Sequence, residues 1–261
     1  ATLAKHLKHK ASGAVDGFVV EHHTAGGHNA PPRGNANLNE RGEPIYGGRD
    51  EPDPAGFRAL GLPFWLAGSQ GRPGGLEAAR AAGATGIQVG TAFALCEESG
   101  LAPEIRQRIL SRVRQGEPLD VHTAAHASPT GFPFKVLRLE GSLSEASVYA
   151  RRDRVCDLGL LRHAYSHPDG STGFRCPAEP VASYGKTGGD EAETDGRICL
   201  CNGLMAAVGL PQVRATGSSE PPVVTIGDDV ARLSMFLEGR ETFTAKDVIL
   251  KLLPSDGQRH N

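Results

Sequence analysis

The 261-residue sequence is poor in aromatic side chains and carries almost no excess charge of either sign. Phe, Trp and Tyr make up 5% of it, and the net charge is −2. Nucleic-acid binding needs a basic surface, often with stacking aromatics, so we expect no nucleic-acid partner. No apolar run approaches the roughly 20 residues of a membrane-spanning helix. We therefore expect no membrane partner and, by default, a cytoplasmic protein.

Cysteine is scarce, and the C-x2-C knuckle typical of zinc sites is absent. Four of the five cysteines are spaced C-x19-C-x22-C-x-C in a loop-rich region. Four thiolates predict a Zn²⁺ site or an iron–sulfur cluster. Buried free thiols and a disulfide are the alternatives, and a reducing cytoplasm disfavours the disulfide. The candidate metal ligands are Cys156, Cys176, Cys199 and Cys201.

Glycine is abundant, and it follows three short apolar runs, at residues 17–20, 62–67 and 85–89. Two of these runs lead into helix-like segments, which is the rhythm of parallel β/α units. Glycine turns that open helices bind anions, because free N–H groups and the helix dipole face the ligand. Such turns predict a phosphate site, although they also serve as plain connections. The turns are Ala25-Gly26-Gly27-His28, Gly68-Ser69 and Gly90-Thr91.

In their order and spacing, these three motifs resemble the nitronate monooxygenases, FMN-dependent TIM-barrel enzymes related to flavin-dependent enoyl-acyl carrier protein reductase II. The resemblance covers residues 1 to about 95. Residues 120–253 resemble a long, cysteine-containing C-terminal extension of one subgroup. The resemblance implies an FMN cofactor and a catalytic role for His28, a residue type that transfers protons near neutral pH.

The resemblance also implies which residues hold the cofactor. Gly26 and Gly27 match a turn near the flavin. The other two turns match phosphate-binding turns, with Ser69 in place of a usual glycine. Gln88 is placed near the flavin too, although a strand glutamine packed in the barrel interior is an equal alternative. The implied cofactor-binding residues are Gly26, Gly27, Gly68, Ser69, Gln88, Gly90 and Thr91.

The predicted fold class is α/β, the C-terminal part of an FMN-binding (β/α)8 barrel, followed by a loop-rich, helical extension. A length of 261 residues suits one TIM barrel, but the pattern supplies only about the last three strands. We therefore expect the chain to be a C-terminal fragment of a longer protein. The predicted division is residues 1–118 for the partial barrel and residues 119–261 for the extension.

The implied reaction is FMN-dependent oxidation of alkyl nitronates by O2, giving a carbonyl compound and nitrite. One alternative is NAD(P)H-dependent reduction of a quinone or an enoyl thioester on the same barrel. Another is a non-enzymatic module that binds a metal or a partner. The expected partners are a small nitronate or nitroalkane and O2, and homo-oligomerisation stays open.

Three further segments carry structural predictions. Residues 29–57 form a long polar stretch after His28, which predicts a substrate lid or a surface insertion. The periodicity predicts an amphipathic helix over residues 102–115. Thr244 and Asp247 are spaced as a capping box for a later helix, and residues 255–261 read as a frayed tail.

Overall fold

The computed structural model describes residues 2–35 and 37–253, which form short strands and helices in an α/β arrangement. The strands are β1 (Phe18–Glu21), β2 (Gly27–His28), β3 (Phe64–Ala67), β4 (Gly86–Gln88), β5 (Val121–Ala124), β6 (Phe134–Leu137), β7 (His163–Ser166) and β8 (Thr172–Arg175). The α-helices are α1 (Thr2–Lys10), α2 (Pro54–Arg58), α3 (Gly75–Ala81), α4 (Thr91–Leu95), α5 (Pro103–Arg114), α6 (Ala146–Arg151), α7 (Val181–Lys186), α8 (Leu200–Ala207), α9 (Ser234–Leu237) and α10 (Ala245–Leu252). Two 3-10 helices span Glu191–Thr194 and Asp228–Arg232.

The three predicted strands form one parallel sheet in the order β1-β3-β4. Phe18 pairs with Phe64 at the start of β1, and Leu66 of β3 pairs with Ile87 of β4. Helix α3 connects β3 to β4, as a parallel connection requires. Since all three strands run the same way, their carboxyl ends and the glycine turns after them lie at one edge of the sheet.

This parallel sheet is open. Among the described residues, β1 and β4 pair with no strand other than β3. A closed barrel of this type needs about eight tilted strands, and three strands of three or four residues cannot curve back on themselves. The α/β class is therefore observed, whereas membership of a closed barrel stays a prediction.

A second, antiparallel sheet joins the beginning of the chain to its later part. Its order is β2-β6-β5, and His28 of β2 lies opposite Phe134 of β6. Strands β7 and β8 form a separate hairpin. Strand β2 comes from residues 1–118 and its partner from residues 119–261, so the two predicted segments share backbone hydrogen bonds.

The main hydrophobic core also contains both segments. Leu95 and Ile109 are fully buried against residues of the extension, including Leu137, Val224 and Phe243. Side chains that bury their whole apolar surface contribute about 1.5–3 kcal/mol each. Packing of the later residues therefore holds α4 and α5 in place. The division at residue 118 itself stays a prediction.

Two helix predictions are confirmed. Helix α5 covers residues 103–114 and buries Ile105, Ile109 and Leu110 along one face. Thr244 caps α10 through a capping box, in which its hydroxyl accepts from the Asp247 N–H and the Asp247 carboxylate accepts from the Thr244 N–H. The predicted tail at residues 255–261 lies outside the described residues. None of the described helices is both long enough and apolar enough to cross a bilayer.

We expect Thr244→Ala to lower the free energy of unfolding by about 1 kcal/mol, because the first N–H groups of α10 lose their acceptor. The measurement is urea denaturation followed by circular dichroism. Thr216→Ala, at an exposed loop position, is the control and should stay within about 0.5 kcal/mol of wild type. Equal effects of the two substitutions would contradict the capping role.

Candidate functional site

A cleft of about 260 Å³ opens at the carboxyl ends of β1, β3 and β4. Ligand sites of open α/β sheets occur at this edge, where the loops after the strands meet. The residues that line it are Glu21, Ala25, Gly26, Gly27, Ala67, Gly68, Ser69, Gln88, Gly90, Thr91, Ala94, Thr225, Ile226, Gly227 and Asp229. The structure therefore brings all seven predicted cofactor-binding residues to one cleft, and their role in holding a cofactor stays a prediction.

The turn after β3 takes an unusual backbone conformation. Gly68 has φ 89° and Ser69 has φ 53°, a region that residues with a side chain rarely adopt. A Cβ at Gly68 would lie 2.9 Å from the His22 Cβ and 3.0 Å from its carbonyl oxygen, so only glycine fits there. Ser69 thus takes a conformation that favours glycine, the residue that the resemblance expects at this position.

Four backbone N–H groups at these turns are free to bind a ligand. Within residues 2–35 and 37–253, the N–H groups of Gly68, Ser69, Gly90 and Thr91 have no hydrogen-bond acceptor. Unpaired N–H groups at the edge of a cleft are a ready anion site. The Arg232 guanidinium, which donates to the Ser69 carbonyl at 3.3 Å, adds one positive charge nearby.

The remaining wall of the cleft comes from residues 225–229, which the sequence analysis did not assign to the site. The Gly27 N–H donates to Thr225 Oγ1 at 2.7 Å, and the Gly227 N–H donates to Thr91 Oγ1 at 2.9 Å. Gly26 has no room for a side chain, because a Cβ would lie 2.8 Å from the Ile226 carbonyl carbon. An apolar run precedes Gly227, as it does the other glycine turns, and this pattern could have identified the segment from the sequence.

Two carboxyl groups also face the cleft. Asp229 belongs to the 3-10 helix Asp228–Arg232 and lies buried in the cleft wall. Glu21 also lines the cleft, and burial of its carboxyl group raises its pKa above the usual range. Negative charge at Asp229 opposes an anionic ligand.

His28, the predicted catalytic residue, is not among the residues that line the cleft. Its neighbour Gly27 lines the cleft, but the exposed His28 ring packs edge-on against Phe134. Its Nε2 lies 2.6 Å from Ser128 Oγ, which in turn lies 2.8 Å from Thr130 Oγ1. Partial burial lowers the pKa of His28, so its imidazole is mainly neutral at pH 7.

The long polar segment at residues 29–57 does not cover the cleft, since none of its described residues lines it. The segment folds on itself around Asp50, whose carboxylate accepts from the N–H groups of Arg33 and Gly47. Tyr46 stacks on His23 with the ring centres 4.2 Å apart. The segment therefore lies against the end of β1, beside the cleft, and a lid role stays a prediction.

The four cysteines proposed as metal ligands stay a prediction. All five are free thiols, and in the described chain no three of their sulfur atoms converge within 4.8 Å. The mutual influence of the Cys199 and Cys201 thiols lowers the pKa of Cys201 and raises that of Cys199. Burial raises the pKa of Cys176 to about 11. These positions therefore give no support for zinc or an iron–sulfur cluster.

Comparison with known proteins agrees with the motifs. Residues 1–123 match the family model described as nitronate monooxygenase, which confirms the resemblance over that part of the chain. The assignment to a subgroup with a long extension stays a prediction.

Similar individual proteins are distant. A curated protein of Rhodococcus jostii (strain RHA1), named (3aS,4S,5R,7aS)-5-hydroxy-7a-methyl-1-oxo-octahydro-1H-indene-4-carboxyl-CoA dehydrogenase, is 29% identical over 137 residues, which are 52% of this chain and 33% of that protein. Two structures of FabK from Thermotoga maritima, wild type and the M276A mutant, are 18% and 19% identical, with TM-scores of 0.48 and 0.46. Each match covers 96% of this chain, and it covers 56% of the wild-type FabK chain and 55% of the mutant FabK chain. The chain thus spans about a third of the curated relative and just over half of each solved chain.

We expect Gly26→Ala to disturb the cleft by pushing residues 225–229 away from the turn after β1. The added Cβ would lie 2.8 Å from the Ile226 backbone, and overpacking of this kind costs about 1–3 kcal/mol. Thermal unfolding is the measurement. Gly100→Ala, at an exposed position with open space around the new Cβ, should leave the melting temperature almost unchanged. A Gly26→Ala variant that melts with the control would show that this contact is not formed.

Proposed function

We propose that this chain, whose residues 1–123 match the nitronate monooxygenase family, holds the phosphate end of FMN in a flavin-dependent oxidoreductase. The convergence of three glycine turns on one cleft carries the proposal. Phosphate oxygens would accept hydrogen bonds from the free N–H groups of Gly68, Ser69, Gly90 and Thr91. Backbone N–H groups held by a rigid turn bind phosphate without a cost for ordering side chains.

The residues fit a phosphate better than they fit a whole flavin. The cleft volume of about 260 Å³ is slightly below the roughly 300 Å³ at the low end of sites for drug-sized ligands. Gly27 and Gly90 leave open space at the positions of their missing Cβ atoms, so a ligand approaches the backbone closely there. The Asp229 carboxylate opposes an anion, and its charge would lower the affinity without blocking the cleft.

The substrate that we propose is an alkyl nitronate or its parent nitroalkane, with O2 as oxidant and a carbonyl compound and nitrite as products. Bound FMN supplies the redox chemistry of the reaction. His28, next to the cleft residue Gly27, is the proposed proton acceptor for the α-carbon of a neutral nitroalkane. Its lowered pKa suits this role, because the neutral imidazole is the form that takes a proton. Ser128, 2.6 Å from Nε2, orients the ring.

A reductase or dehydrogenase acting on a thioester is the second candidate. The relative from Rhodococcus jostii is named as the dehydrogenase of a CoA thioester, and the cleft residues would hold the same cofactor in either case. The two candidates differ in what exchanges electrons with the flavin. Oxidation of NADH or NADPH by the protein without a nitronate would favour the second.

We expect the protein to quench FMN fluorescence on binding, and Asp229→Asn to tighten that binding roughly three- to tenfold, because one negative charge leaves the cleft wall. Asp169→Asn removes the same charge from the exposed β7–β8 turn and should leave the FMN affinity unchanged. Absence of FMN binding by both wild type and Asp229→Asn would overturn the cofactor assignment and favour a non-enzymatic binding module.

We expect His28→Gln to lower the turnover of neutral nitroethane by tenfold or more. The reason is that a general base typically contributes about 10²–10⁴-fold to the rate. Wild-type kcat/KM should be at its maximum at neutral pH, where the imidazole is neutral. It should fall as the pH drops through the His28 pKa, below about 6.5, because the ring is then protonated. Turnover of preformed ethyl nitronate, which needs no proton removal, should be lowered less by His28→Gln. The role is excluded if His28→Gln leaves both rates unchanged.

A further inference from the structure

A second polar cavity, of about 140 Å³, lies beside the cleft at the end of β1. It shares Glu21 with the cleft, and its other walls come from the turn after β1 and from the segment at residues 29–57. The side chains that line it are almost all polar or charged, which distinguishes it from an ordinary packing defect. Its lining is Glu21, His22, His23, Asn29, Ala30, Pro31, Arg33, Tyr46 and Asp50.

Three metal-ligating side chains meet beside this cavity, and two of them, His22 and His23, line it. One ligand atom from each of His22, His23 and Glu51 lies within 4.8 Å of the other two. The imidazole rings of His22 and His23 are tilted by 39° to each other with their centres 3.9 Å apart, and His22 Nε2 lies 3.3 Å from a Glu51 carboxylate oxygen. A tetrahedral zinc ion holds its ligand atoms roughly 3.4 Å apart, given bonds of about 2.0–2.1 Å. The distance between His22 Nε2 and the Glu51 carboxylate oxygen therefore already matches the separation of two zinc ligands.

The backbone fixes the two histidines in this position. The His22 N–H donates to the Ala67 carbonyl at 3.0 Å, which extends the β1–β3 pairing by one residue. The Ala25 N–H donates back to the His22 carbonyl at 3.0 Å, so residues 22–25 form a tight turn. His22 Nδ1 lies 2.8 Å from Thr24 Oγ1. A partner on the second ring nitrogen is the usual device for orienting a metal-bound histidine.

Two buried polar atoms at this cavity have no hydrogen-bond partner in the described chain. They are His23 Nδ1 and Asn29 Oδ1. Asn29 is 97% buried, and its amide nitrogen donates to the Ala25 carbonyl at 3.1 Å, which leaves the oxygen facing the cavity. An unpaired buried carbonyl oxygen costs about 1–3 kcal/mol. A water molecule bound to a metal ion would supply the missing donor.

We propose that His22, His23 and Glu51 bind one divalent transition-metal ion of the zinc type, with water in the remaining position. Two imidazoles and one carboxylate suit Zn²⁺, Co²⁺ or Ni²⁺ rather than Mg²⁺ or Ca²⁺, which prefer oxygen ligands. The ion takes the place of the proton that otherwise joins His22 Nε2 to Glu51. This site goes beyond the proposed function and does not depend on FMN binding.

The site has a structural consequence. Glu51 belongs to the polar segment at residues 29–57, whereas the histidines belong to the end of β1. An ion that binds both ties the segment to the parallel sheet and lowers the freedom of its chain. Asp50, the residue before Glu51, is held in place because its carboxylate accepts hydrogen bonds from the N–H groups of Arg33 and Gly47. The segment is thus already folded close to the bound position, so little further ordering is needed.

The test is a titration of the metal-free, untagged 261-residue protein with ZnCl2, followed by isothermal calorimetry. We expect one equivalent of Zn²⁺ to bind, and Glu51→Gln and His23→Gln each to weaken the affinity at least tenfold. Glu51 is an exposed side chain, so its substitution leaves the fold intact. Zn²⁺ should raise the melting temperature of wild type and not that of Glu51→Gln.

Matched controls locate the ion. His6→Gln combined with His9→Gln removes two exposed histidines of α1, and Cys199→Ser combined with Cys201→Ser removes the paired thiols; both double variants should bind Zn²⁺ like wild type. Co²⁺ should give a visible spectrum without a thiolate charge-transfer band. Unchanged affinity in Glu51→Gln and His23→Gln, binding that is lost with the cysteines, or no binding by wild type would each overturn the proposal.

Discussion

The contact between the glycine turns and residues 225–229 is the constraint on which the cleft depends. Two hydrogen bonds cross it, from the Gly27 N–H to Thr225 and from the Gly227 N–H to Thr91. The backbones approach so closely at Gly26 that no side chain fits between them. Because Val224 and Ile226 belong to the main hydrophobic core and Val223 to a second one, hydrophobic packing fixes the position of the cleft wall. The site and the core are therefore stabilised together.

Charge divides the region around the end of β1 into two unlike sites. The cleft presents backbone N–H groups, to which we propose that an anion binds, with Asp229 as an opposing charge. The neighbouring cavity presents imidazole and carboxylate groups, beside which we propose a cation. Glu21 lies on both walls, and burial raises its pKa. Occupation of one site would thus change the electrostatic environment of the other over a few ångströms, where protein attenuates charge less than water does.

Patterns local in sequence were predicted well. The three strands, α5 and the Thr244 capping box follow from apolar periodicity and from side chains a few residues apart, and the structure contains all of them. Predictions that needed partners distant in sequence fared differently. The four candidate thiols are an example, since no three of them lie within 4.8 Å of one another in the described chain and their metal site stays a prediction. Spacing in the sequence predicts which side chains meet within one turn of the chain, but it does not predict which separate loops meet.

The sequence by itself determined the α/β order of the elements and the glycine turns that resemble a phosphate site, because backbone conformation and periodicity depend on neighbouring residues. Only the tertiary structure decided that residues 225–229 complete the cleft, that His28 turns toward Ser128, and that Glu51 meets the two histidines after β1. These pairings join residues between 28 and about 200 positions apart. Long-range packing selects them, and no local pattern encodes which distant segments will meet.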